Sequence, residues 1–253
     1  MDIFDFTKAL KLAVDDELSR KFSFGCVNYL SQCSHPDMTY KDFIISINTI
    51  SKEFEEINWN SISNFNDLKI KGYEVEKEMF RQTSGKNTYK GLIFLSIILA
   101  YGFVKSDKID DIPQFIKQIS KPLISDYKTK ETAIYYNDIG LRDVRFYPLT
   151  GFNMIFHLSQ NSYTSPIDDL LLTIYLIANV DDTTTLNRSN IRELRFLQRW
   201  ADTIYTTYNN GENILNQVKE LNSYYVKTQI SSGGVADIFT LTKTLFYLRR
   251  IYE

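Results

Sequence analysis

The chain has 253 residues, 43% of them hydrophobic and 24% charged, and a formal net charge of -2. That length gives a real core to one large domain or two small ones, and the near-zero charge excludes a global basic field for nucleic acid. A structural zinc centre wants four ligands, and the chain has two cysteines a few residues apart and only two histidines in total; Cys26 and Cys33 read as reduced thiols rather than as part of a metal or disulfide framework.

Ten glycines and five prolines, with long gaps between them, favour helices over a sandwich or barrel. Met1-Asp2-Ile3-Phe4-Asp5-Phe6 carries acids where a signal peptide needs bases. The apolar stretch 91–104 is shorter than the roughly 18–20 residues that span a bilayer. These features predict a cytoplasmic protein, with neither a membrane nor nucleic acid as partner.

Residues 2–20 read as a first helix, with Asp2 as N-cap and Leu10, Val14 and Leu18 at four-residue spacing, Leu12 beside them. An irregular segment follows, through Gly25-Cys26-Val27-Asn28 and Ser34-His35-Pro36-Asp37-Met38. A second helix starts near Thr39, with Phe43, Ile44, Ile47, Ile50, Phe54 and Ile57 as its apolar stripe. A third covers about 65–80. Then comes Gly85-Lys86-Asn87-Thr88-Tyr89-Lys90-Gly91, directly before an apolar helix over about 88–104.

Pro113 and Pro122 read as first-turn prolines. Residues 123–139 read as a helix stopped at Gly140, and a looped region continues to Gly151-Phe152. Ser165-Pro166 with Asp168-Asp169 marks a helix start, and the helix through Leu170–Ala178, apolar on nearly all sides, is predicted to be central. Further helices are expected over 190–208, after Gly211, and over 234–251. No period-two strand is present. The prediction is one compact all-α, bundle-like domain over 1–253, with a ligand site at helix ends.

Polar groups cluster at the ends of the most apolar helices, where backbone groups need caps, water or a ligand. The 85–91 turn is either an exposed loop or a phosphate cradle, with glycine amides and a helix N-terminus facing an anion. Likewise His35 is a turn histidine or a site residue. Asp181-Asp182 is a cap or a metal pair, and Gly233-Gly234 is a helix entry or an anion site. Taken singly, none of these names a function.

Taken in order they do. Gly25-Cys26-Val27-Asn28, His35-Pro36-Asp37-Met38, Asn87-Thr88-Tyr89-Lys90-Gly91, Gly140-Leu141-Arg142 with Gly151-Phe152, Asp181-Asp182-Thr183-Thr184 with Arg188, and Ser231-Ser232-Gly233-Gly234-Val235-Ala236-Asp237 follow one another. In this the chain resembles the triphosphoribosyl-dephospho-CoA synthases, which build the prosthetic-group precursor of citrate lyase and malonate decarboxylase. The family pattern has Asp at position 28, His at 89, Asn at 184, Gly-Gly at 189–190, Pro at 232 and Ser at 235. This chain has Asn28, Tyr89, Thr184, Ser189-Asn190, Ser232 and Val235 there.

The resemblance implies a glycosyl transfer: the ribose 2′-hydroxyl of 3′-dephospho-CoA attacks C1′ of ATP and adenine leaves. Asp37 and Asp237 are then the candidates for proton transfer or for stabilising an oxocarbenium-like ribose. Gly85, Lys86, Asn87, Thr88, Tyr89, Lys90, Arg142, Arg188, Gly233 and Gly234 are the candidates for binding nucleotide phosphates. Asp181 and Asp182 are candidates for holding Mg²⁺. The expected substrates are ATP and a dephospho-CoA-like acceptor. The resemblance leaves room for a homo-oligomer and for a carrier-protein or transferase partner downstream. Two alternatives stay open: a non-catalytic or altered-specificity nucleotide-binding relative, and a Mg²⁺-dependent nucleotide hydrolase. A His-Asp phosphohydrolase needs several histidines, and the chain has only His35 and His157, which counts against that version.

Overall fold

The structure is a computed structural model that describes all 253 residues. It is all-α, as the sequence predicts, with no strand. The helices are α1 (Ile3–Ser19), α2 (Tyr40–Glu56), α3 (Phe65–Gln82), α4 (Lys90–Lys105), α5 (Ile112–Ile119), α6 (Asp126–Thr129) and α7 (Glu131–Asp138). They continue with α8 (Phe146–Leu149), α9 (Asn153–Leu158), α10 (Pro166–Asn179), α11 (Thr183–Asn187), α12 (Ile191–Asn209), α13 (Leu215–Lys227) and α14 (Gly233–Tyr252). None is long and apolar enough to cross a membrane.

Contacts gather the chain into two compact units. Unit 1 comprises Met1–Val14, Asp42–Asn161 and Thr240–Glu253; unit 2 comprises Asp15–Lys41 and Ser162–Phe239.

Unit 1 is built on α4. Its buried residues include Leu92, Ile93, Leu95, Ile98, Leu99 and Phe103, each contributing about 1.5–3 kcal/mol when fully buried. The helices α3, α5 and α8 pack against it. α5 lies close because Gly102 has no Cβ: one there would stand 2.8 Å from Ile116 Cγ1. α3 starts at a capping box, in which Asn64 Oδ1 accepts from the Asn66 and Asp67 amides and Asp67 reaches back to the Asn64 amide. The first predicted helix is present as α1, with the Asp2 carboxylate accepting the Phe4 amide at 2.9 Å. Leu12 falls off its stripe and is exposed.

The predicted helix over 123–139 is instead a 3-10 turn at Lys121–Ser125 followed by the short α6 and α7, parted at Lys130, whose backbone is extended. The predicted loop up to Gly151-Phe152 contains α8, and α9 follows it. Elements this short carry no readable period.

Unit 2 packs α10 against α12, which also meets α11 and α13. α10 starts as predicted: Asp168 Oδ2 accepts from the Ser165 amide at 2.9 Å and from its hydroxyl at 2.8 Å. The irregular 21–39 segment is held down by Gly25. At φ +83, a Cβ there would lie 2.0 Å from the Ile230 carbonyl oxygen, so only glycine fits.

Two glycine substitutions should therefore act in opposite directions. Gly25→Ala should destabilise by more than about 1 kcal/mol. Gly72→Ala, inside α3 with Ile97 Cγ2 at an ordinary 3.6 Å from its Cβ, should stabilise by about 0.5–1 kcal/mol. Urea denaturation measures both; equal shifts would contradict the local geometry.

Candidate functional site

In unit 2 three of the predicted residues, Asp182, Gly233 and Gly234, meet at one buried carboxylate, while Asp37, Asp181 and Arg188 lie apart from it. Asp182 is the N-cap of α11, its Oδ1 accepting the Thr184 amide at 2.7 Å and the Thr185 amide at 3.0 Å. Its Oδ2 accepts the Val235 amide at 3.0 Å, and the Gly234 amide also bonds to it. One carboxylate thus caps two helices, α11 and α14. This close approach explains the two glycines. A Cβ on Gly234 would lie 2.9 Å from Asp182 Oδ1, and one on Gly233 would lie 3.1 Å from Thr184 Oγ1. Burial outweighs these hydrogen bonds and raises the Asp182 carboxyl above its ordinary range.

Asp237 sits one turn into α14. Burial, together with the charges of Asp182 and Glu17, holds its carboxyl well above the usual carboxylate range. It therefore retains a proton at pH values where an ordinary aspartate has lost it. Glu17 is itself buried in an ion pair with Arg20 at 2.6 Å, and the Arg20 guanidinium lies 4.5 Å over the Phe239 ring. The pair's only sequence signal is an acid and a base three residues apart at the end of an apolar helix face.

Asp37 lies on the exposed turn beside His35. Arg188, also exposed, fastens this turn: its Nη1 donates to the Ser34 carbonyl at 2.8 Å and to the Gln229 carbonyl at 3.3 Å. Its Nη2 lies 3.0 Å from His35 Nδ1, and His35 Nε2 lies 2.8 Å from Ser231 Oγ. Arginine can only donate, so Nδ1 accepts and the His35 proton sits on Nε2, donated to Ser231. Burial and then the Arg188 charge push His35 down to about 4. His35 is a neutral, oriented ring, and Ser231, receiving its proton, is not an activated nucleophile. Burial, reinforced by Glu17, lifts the nearby Cys26 thiol to about 12, so it is inert.

The implied Mg²⁺ does not fit Asp181 and Asp182 as they stand. Both Asp182 oxygens accept backbone amides, and Asp181 Oδ1 accepts from Arg195 at 2.6 Å and from Gln198 at 3.2 Å. No three acidic, histidine or cysteine side chains form a group that could hold a metal.

In unit 1 the 85–91 turn joins α3 to α4. Gly85, at φ +86, closes α3 with its amide donating to the Phe80 carbonyl at 2.7 Å, a helix stop that needs a left-handed residue. Lys86 pairs with Asp42 at 2.9 Å and Lys90 with Glu76 at 2.9 Å. Asn87 is exposed, while Thr88 turns inward, its Oγ1 2.6 Å from Ser46 Oγ. Tyr89 is buried, edge-on to Phe43 at 5.0 Å. It is the N-cap of α4 and supplies no side-chain cap. Arg142 lies 5.0 Å over the Phe146 ring.

Three residues on, Arg145 forms a half-buried network that has no local sequence signature. It bonds the Asp143 carboxylate and Asp126 Oδ2, the latter at 3.1 Å, while the Tyr127 hydroxyl donates to Asp143 at 2.8 Å.

The family described as "CitG: ATP:dephospho-CoA triphosphoribosyl transferase" matches the chain over residues 4–145 and 135–253. A protein of Vibrio cholerae named "Probable 2-(5''-triphosphoribosyl)-3'-dephosphocoenzyme-A synthase" is 26% identical over 90% of this chain and 83% of its own length. A protein of the same name from Streptococcus mutans is 24% identical over 90% of both. The "2-(5''-triphosphoribosyl)-3'-dephosphocoenzyme-A synthase" of Haemophilus ducreyi is 24% identical over 90% and 83%. No solved structure matches the chain.

The His35 geometry sets a pH dependence. Unfolded His35 takes its proton near pH 6.5 and the native residue near 4. Between these values the unfolded chain binds more protons, so His35 lowers stability as pH falls from about 6.5 towards 4. The raised carboxyls of Asp182 and Asp237 act with the opposite sign. His35→Gln keeps a donor and an acceptor without titrating. Urea unfolding at pH 7 and pH 4.5 should show a smaller acid loss in the variant than in the parent; identical losses would contradict the buried, neutral imidazole.

Proposed function

We propose a specific reaction for this chain, which belongs to the CitG family of ATP:dephospho-CoA triphosphoribosyl transferases and is a transferase. It joins C1′ of the triphosphoribosyl group of ATP to the ribose 2′-hydroxyl of 3′-dephospho-CoA, or of a related nucleotide acceptor. The O2′–C1′ bond forms, the C1′–N9 bond to adenine breaks, and the hydroxyl proton leaves, on balance, on adenine. The single observation that carries this reading is the family match, which runs from residue 4 to residue 253.

The roles follow from the chemistry each side chain offers. Asp237, one turn into α14 and with its carboxyl held well above the usual range, first by burial, is the general acid for the leaving base in this reading. Asp37, exposed and free of a buried environment, takes the hydroxyl proton or places negative charge beside the oxocarbenium-like ribose. Within unit 2, Arg188 offers substrate phosphates the N–H groups that its clamp on Ser34, His35 and Gln229 leaves over; within unit 1, Lys86 and Lys90, which pair with Asp42 and Glu76, and Arg142 are the phosphate-binding candidates. Asp182, Gly233 and Gly234 place α14, and with it Asp237, and Thr184 packs against them. Mg²⁺ arriving with ATP would be held by the phosphates and water, and no step depends on Asp181 or Asp182 as its ligand. The hydrolase alternative calls for an acidic metal cluster, and these carboxylates are committed elsewhere.

Purified protein given ATP and 3′-dephospho-CoA should release adenine, measured by chromatography. Asp237→Asn should lower kcat by roughly 100-fold or more, with the fold intact by circular dichroism. No adenine from any nucleotide pair would overturn the reaction. Full activity in Asp237→Asn would remove that residue from the mechanism.

A further inference from the structure

A cleft of about 650 Å³ opens in unit 1 between α3, the first half of α4 and the segments around 122–130 and 144–145. Its size suits a medium-sized organic ligand. Phe65, Leu68, Phe94, Ile97 and Ile98 make its lining largely apolar, and Tyr73 stands at its edge with 67% of its surface exposed. Four basic side chains, Lys69, Lys90, Lys130 and Arg145, line it against two acidic ones, Glu76 and Asp126. It includes Lys90 and Gly91, the first residues of α4, where the helix dipole favours an anion.

Gly72 says that this space is kept open. It sits inside α3, where glycine costs about 0.5–1 kcal/mol relative to alanine. Packing does not require it, since an added Cβ would make only ordinary contacts with Ile97, at 3.6 and 3.8 Å. A larger residue there would enter the cleft. The fold has no use for a glycine at this position, whereas a ligand in the cleft does.

We infer that this cleft receives the pantetheine arm of the acceptor coenzyme, with the acceptor's diphosphate at the Lys90 end. This rests on the transferase reading above. Dephospho-CoA is ADP extended by a flexible, uncharged arm that carries two methyl groups, two amides and a terminal thiol. The reaction takes place on the ribose, so the arm needs a separate home, and its burial supplies binding energy remote from the reacting centre. An apolar cleft lined by four basic side chains, three of them ion-paired with Glu76, Asp126 or Asp143, complements an uncharged arm attached to a diphosphate. The adenine of ATP, a single flat base, would leave most of the volume empty.

ADP is the acceptor without its arm and tests this directly. Calorimetry should show 3′-dephospho-CoA binding at least roughly tenfold tighter than ADP to the parent protein. Gly72→Leu should abolish most of that preference while leaving ADP affinity within about twofold. Tyr73→Ala, at an exposed position that does not threaten folding, should reduce it several-fold. Equal affinity for ADP and dephospho-CoA, or an undiminished preference in both variants, would overturn the inference. Weakened ATP binding with the dephospho-CoA preference intact would overturn it in favour of an adenosine pocket. Because the readout is binding, it stands apart from the transferase reading, which fails if the parent protein releases no adenine.

Discussion

The Asp182 carboxylate is the point on which unit 2 turns. Its two oxygens gather amides from the start of α11 and from the start of α14. Leaving a buried amide unpaired costs about 1–3 kcal/mol, so one side chain accounts for several otherwise orphaned donors. The same contact forbids a Cβ on Gly234 and sets where Asp237 begins its turn of helix. Burial raises the Asp182 carboxyl, and burial first, with the Asp182 charge second, holds the Asp237 carboxyl well above the usual range. Capping, packing and a perturbed acid are thus consequences of one buried group.

The departures from the family pattern also have physical reasons. Asn28 Nδ2 donates to the Arg20 carbonyl at 3.1 Å while its Oδ1 accepts the Leu30 and Ser31 amides. An aspartate could accept but could not donate. The Ser232 amide donates to the Phe24 carbonyl at 3.1 Å, a bond that proline could not make. Asn190 caps α12 through the Glu193 amide at 3.0 Å. Tyr89 is edge-on to Phe43 inside the core, a place that suits an aromatic ring and denies it a base's access to solvent.

Much of this was legible in the sequence. Long periodic helices such as α4, α10 and α12 declared themselves through apolar spacing, and α10 through Ser165-Pro166 and its acids. The short helices α6, α7, α8, α9 and α11 did not, because fewer than about three turns carry no period to read. Asp181-Asp182 looked like a metal pair because sequence shows residue type and not what each oxygen accepts; Asp182 followed by Thr183-Thr184 was equally a cap signature. The His35–Arg188–Ser231 chain joins residues more than 40 positions apart, and the α3–α4 cleft draws on 64–145. No local pattern encodes either. Arg145 stands in none of the motifs, and its bonds to Asp143 and Asp126 leave no local signal.

Glycosyl transfer and hydrolysis part at the fate of the ribose. Mass spectrometry of the nucleotide products formed from ribose-labelled ATP and 3′-dephospho-CoA decides between them. Transfer gives one product that carries the labelled ribose and all three phosphates on the acceptor. Unchanged dephospho-CoA beside labelled ADP or AMP would contradict it.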